Sequence, residues 1–86
     1  MRHARDQDLD RIEDLLVQIR TLPGLVEKKR GVFYRKSKSL LHFHEDPKGM
    51  FADLTRVDGA DFDRIDVTQP AGQAALLATL RARLGA

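Results

Sequence analysis

The sequence predicts an α+β fold: a two-layer sandwich of order α-β-β-β(-β)-α, with an antiparallel sheet of three to four strands and both helices on one face. Three observations predict it. Residues 6 to 22 carry apolar side chains at helical spacings of three and four. Residues 31 to 54, GVFYRKSKSLLHFHEDPKGMFADL, alternate around two turn-forming segments. Residues 70 to 84 return to a helical pattern rich in Ala and Leu.

Size and composition set the outer limits. A chain of 86 residues has room for one core, so residues 1–86 form a single domain. Apolar residues at 42% and charged residues at 33% fit a globular chain rather than a disordered one. The absence of cysteine excludes disulfides and thiolate metal ligands. No apolar run follows the opening MRHARDQDLDR, and no segment reaches the roughly 20 apolar residues of a membrane span. The expectation is a cytoplasmic protein with no membrane partner. The net charge of +2 is small, but its distribution is uneven. Of the 15 basic residues, Lys28, Lys29, Arg30, Arg35, Lys36 and Lys38 lie together with no acid among them, so nine face all 13 acids elsewhere.

Leu9, Ile12, Leu15, Leu16 and Ile19 share one face of the first helix, with Asp6 or Asp8 at its start. Pro23-Gly24 stops it. Leu25 to Arg30 reads as a charged connector. The strands are set by register, because a slip of one residue turns every side chain to the opposite face. A Ser37-Lys38 loop pairs Tyr34 with Leu41 and Val32 with Phe43. A four-residue loop, Asp46 to Gly49, pairs Phe43 with Ala52 and Leu41 with Leu54. One face then reads Val32, Tyr34, Leu41, Phe43, Ala52 and Leu54, a coherent core. Residues Phe62 to Val67 alternate and read as a short fourth strand or an extended edge, with Arg64 in a solvated ion pair beside Asp63 and Asp66. Thr68 caps the last helix, Pro70 fits its first turn, and Gly85 ends it.

The same register assigns Phe33, Arg35, Leu40, His42, His44, Phe51 and Asp53 to the opposite face. The exposed side of a half-covered antiparallel sheet is ordinarily polar. Two phenylalanines and a leucine there predict a contact surface for a protein partner or a second copy of the chain. His42 and His44, two apart on a strand, project together, and Asp53 across from His42 is the natural third ligand for a transition metal. The same His42–Asp53 pairing suits a general base, but no activated nucleophile accompanies it, so the expectation leans against an enzyme. A third reading gives Lys28, Lys29, Arg30, Arg35, Lys36 and Lys38 to nucleic acid, without a recognised motif to support it. Nothing in the sequence calls for an organic cofactor.

Leu22-Pro23-Gly24, Gly31, His42-Phe43-His44, Glu45-Asp46 and Asp53 occur in an order that resembles a small bacterial family known as luciferase-domain proteins, over residues 20 to 55. The layout is also similar to the YjbR-like α+β family. The resemblance implies a two-layer α+β fold and a site around His42, His44 and Asp53. It implies no particular reaction.

Overall fold

The computed structural model describes residues 1–85. In chain order they form β1 (Arg2–His3), α1 (Asp6–Leu9), a 3-10 turn (Asp10–Ile12), α2 (Glu13–Arg20), β2 (Val26–Lys29), β3 (Val32–Arg35), β4 (Lys38–Asp46), β5 (Gly49–Thr55), β6 (Phe62–Asp66) and α3 (Pro70–Leu84). The class is α+β, and every strand pair among the described residues is antiparallel. No described helix is long and apolar enough to cross a membrane.

The strands run in the order β2-β3-β4-β5-β6, with β1 added beside β4. β4 is the longest strand and divides one of its edges between two partners. Its first half pairs with β3, through Leu41 opposite Phe33 and Lys38 opposite Arg35. Its second half pairs with β1, through His44 opposite His3 and Glu45 opposite Arg2. β1 and β3 thus act as one interrupted strand. At the interruption a cavity of about 620 Å³ opens beside Ala4, Gly31, Val32 and His42.

A single core cluster joins both ends of the chain to the sheet. Leu9, Ile12, Leu15, Leu16 and Ile19 are all buried, as their spacing predicts. The predicted helix over 6 to 22 is broken by the 3-10 turn. Its start is Arg5, whose N–H donates to the Asp8 carboxylate at 2.9 Å. At the other end Leu76, Leu77 and Leu80 of α3 are buried. Gly85 ends α3 at a φ of 71°. Thr68 does not cap α3. That position falls to Gln69, and the Thr68 hydroxyl instead accepts the Met50 N–H at 3.0 Å.

The second hairpin has the expected register, Leu41 opposite Leu54 and Phe43 opposite Ala52. Its ladder extends further than expected, to Asp46 opposite Gly49. The first hairpin differs. Its turn is Lys36-Ser37, both at positive φ, and it sets Tyr34 opposite Ser39. The register then shifts between Phe33 and Tyr34, leaving Leu40 as the extra residue of a bulge. The shift buries the whole Phe33 ring and lets Leu40 and Leu41 both reach the core. It leaves Tyr34, with its hydroxyl, half-buried beneath the Lys28 ammonium. Burying phenylalanine in place of tyrosine avoids desolvating a hydroxyl, which accounts for the difference. Two further elements exceed the prediction. The charged connector is strand β2, and Arg2–His3 forms β1, so the sheet has six strands rather than three or four.

Candidate functional site

Strict alternation along β4 and β5 builds the site. Leu41, Phe43, Ala52 and Leu54 turn to the core, so His42, His44, Phe51 and Asp53 turn the other way. Phe33 and Leu40, expected beside them, lie in the core because of the bulge. Phe51 is half-buried. Arg35 is half-buried too, and it donates to the Arg83 carbonyl at the end of α3. The apolar contact surface therefore loses two of its three contributors.

What remains is a polar cluster around a buried carboxylate. Asp53 is 2% exposed. Arg64 stands directly across from it on β6 and donates in a fork, Nε to Oδ1 at 2.8 Å and Nη2 to Oδ2 at 3.0 Å. The imidazole that reaches Asp53 is His44, not His42: His44 Nδ1 lies 2.9 Å from Oδ2. His42 is opposite Asp53 in register, but its Nδ1 has no hydrogen-bond partner in the protein. His44 Nδ1 is buried too, and the Asp53 carboxylate is the polar group it faces. A bare ring nitrogen and a carboxylate oxygen at that distance repel, unless a proton or a metal ion lies between them. One donor atom from each of His42, His44 and Asp53 falls within 4.8 Å of the others. Two ligands on a common ion at about 2.0–2.2 Å lie within about 4.4 Å of each other, so small side-chain rotations bring the three together.

The third histidine joins the same cluster. His3, on β1, sets its ring 4.4 Å from that of His44 and 5.5 Å from that of His42, centroid to centroid. The His42 and His44 rings are 5.0 Å apart. Burial lowers the pKa of His42 below the ordinary imidazole range, and the neighbouring His44 adds to the shift. Burial lowers His44 as well, against the opposing pull of the Asp53 charge. For Asp53 burial pushes upward, but the Arg64 hydrogen bonds and charge outweigh it and the carboxyl titrates below its ordinary value. Near neutral pH the site therefore offers two neutral imidazoles and one carboxylate, the protonation states that a transition metal requires.

The basic run does not form one strip. Arg30 is tied to Asp6, Asp10 and Glu13, with its closest contacts at 2.8 Å. Lys28 and Lys29 are exposed on β2 beside it. Arg35, Lys36 and Lys38 lie at the opposite end of β3.

Sequence reasoning missed His3 and Arg64. The alternation along Phe62 to Val67 already separates Arg64 from Ile65. Pairing that strand with β5 would have set Arg64 against Asp53. For His3 there was no signal, because two residues carry no periodicity. Comparison of the chain with protein-family models, with characterised proteins and with solved structures finds no match.

Proposed function

We propose that this chain is a small metal-binding domain, with His42, His44 and Asp53 as the first ligands for a transition-metal ion such as Zn²⁺. The reading rests on one observation: the Nδ1 atom of His42 is buried without a hydrogen-bond partner, beside a His44 Nδ1 that lies 2.9 Å from the Asp53 carboxylate. Polar atoms held that way cost stability unless something coordinates them. The proposal includes the finer architecture, with both helices over the face of Leu41, Phe43, Ala52 and Leu54. The shared core cluster of α2, α3 and those four residues supports it. The histidine face is then the one left to a ligand. The likeness to luciferase-domain proteins falls on the same three residues. Arg64 is the competing cation, since it holds both oxygens of Asp53.

Calorimetric titration of the metal-free protein with Zn²⁺, and with Co²⁺ for its visible absorption, tests this. One ion binds per chain. His42→Ala and His44→Ala each weaken binding by at least about tenfold, since losing even a group that only supports a ligand costs about 10- to 100-fold. Arg64→Gln strengthens it by freeing the carboxylate. Substoichiometric binding, or an affinity unchanged in His42→Ala, ends the proposal.

A further inference from the structure

A second site lies away from the histidines, where the β3–β4 hairpin meets the β5–β6 loop and the end of α3. A groove of about 1040 Å³ there is lined by Arg35, Lys36, Lys38, Arg56 and Arg83, with Asp58 as its acid. The five cations are not equivalent. Arg56 is engaged with Asp63 at 2.9 Å and with Asp61 at 3.8 Å. Arg35 and Arg83 are held differently. Arg35 Nη1 donates to the Arg83 carbonyl at 2.9 Å, and Arg83 Nη2 donates to the Thr55 carbonyl at 2.7 Å. A carbonyl fixes a guanidinium without cancelling its charge. Among the described residues, neither arginine has a carboxylate within ion-pair distance, in contrast to Arg2, Arg20, Arg30, Arg56 and Arg64. Asp58 spends one oxygen on the Ala60 N–H.

The rim of the groove carries an independent sign. Lys36 and Ser37 adopt φ values of 52° and 67°, left-handed backbone at two successive residues that are not glycine. Asn-Gly is the ordinary choice for such a two-residue turn. A lysine there carries backbone strain, and strain of this kind clusters at binding sites. The distribution of charge also selects the shape of the ligand. Strand β3 lies between Arg30 and Arg35, with about 10 Å of extended chain from Val32 to Arg35, and the Arg30 end is neutralised by its three carboxylates. Arg35, Lys36, Lys38 and Arg83, none of them in an ion pair among the described residues, are thus gathered in one groove.

We infer that this groove binds a compact polyphosphate group, the chemistry shared by inorganic polyphosphate and nucleoside triphosphates. Arg35 and Arg83 present fixed N–H donors to paired phosphate oxygens, and Lys36 and Lys38 supply mobile charge at the rim. The groove is large enough to admit such a group. The inference does not depend on a metal at the histidine face.

Calorimetry or amide-resolved NMR with inorganic tripolyphosphate and ATP, on metal-free protein at low salt, tests it. Tripolyphosphate binds saturably, one per chain, and shifts amides near residues 35–38 and 82–83. Arg83→Gln weakens binding by about tenfold, the scale of a lost charge-assisted contact. Lys36→Gln with Lys38→Gln, both exposed and harmless to folding, weakens it severalfold. Lys28→Gln with Lys29→Gln leaves it unchanged. ATP binding more tightly than tripolyphosphate assigns the ligand to a nucleotide; equal affinities assign it to the bare phosphate chain. Three results overturn the inference. One is no saturable binding at low salt. Another is equal sensitivity to the two lysine pairs. The third is a ten-nucleotide single strand that outcompetes tripolyphosphate, which would mark an extended nucleic-acid surface.

Discussion

Asp53 shows how one residue sets the chemistry around it. A carboxylate at 2% exposure survives only with a partner, and the Arg64 fork supplies one from the next strand. Arg64 keeps 43% of its own side chain exposed, so the pair is half in water and its worth is correspondingly modest. The His44 ring sits beside that carboxylate, and burial favours the neutral form of both His42 and His44. This fixes the sign of a pH dependence. The unfolded chain protonates these histidines at the ordinary value of 6.5, and the folded protein resists until lower pH. Their contribution is complete above 6.5 and is lost as pH falls through that value toward the folded pKa values. Asp53, also lowered, loses its contribution only below its ordinary 3.8. Thermal melts in chelator should therefore show the midpoint falling between pH 7.5 and pH 5, and a flatter profile in His42→Gln. A midpoint that rises on acidification contradicts the burial argument. His42, His44 and Asp53 were legible in the sequence because alternation alone assigns them a face. Arg64 required the next register, and His3 required a strand too short to announce itself.

Elements divide in the same way. The β4–β5 hairpin was readable because a one-residue slip would bury a lone carboxylate against Leu41. The β3–β4 hairpin was not: Val32, Phe33 and Tyr34 are consecutive and apolar, so alternation cannot say which points inward. Lys36-Ser37 carries no customary turn signature either, and β2 reads as charge rather than pattern. Helix α3 was readable throughout, yet it contains a glycine that propensity disfavours. Gly72 lies in its first turn, and a Cβ there would collide with the Asp66 carbonyl, a backbone atom that cannot swing aside. On propensity alone Gly72→Ala should stabilise the helix by about 1 kcal/mol. The predicted outcome is the reverse, a loss of about 1–3 kcal/mol, because α3 must move off the end of β6. Urea unfolding of the variant decides between the two signs.

At the scale of the molecule, charge is sorted by position. Arg2 and Arg30 hold the N-terminal acids, Arg56 and Arg64 hold those around β6, and Arg35, Lys36, Lys38 and Arg83 share one groove without an ion pair among the described residues. The outer strands of the ladder, β2 and β6, carry Glu27, Lys28 and Lys29 on one side and Asp63, Arg64 and Asp66 on the other. Charged borders of this kind discourage further strands from docking. The inner seam beside β4 has no such guard. It is closed by two residues of β1, the Ala4 N–H donating to the Phe43 carbonyl, and the Arg2 guanidinium bound to Asp8 at 2.8 Å. Those first four residues fill that seam. Trimming them would uncover a short unpaired stretch of backbone from Phe43 to Glu45, an open berth for a strand from another molecule. Light scattering on the trimmed chain should accordingly report a mass that climbs with concentration, well above that of the intact protein.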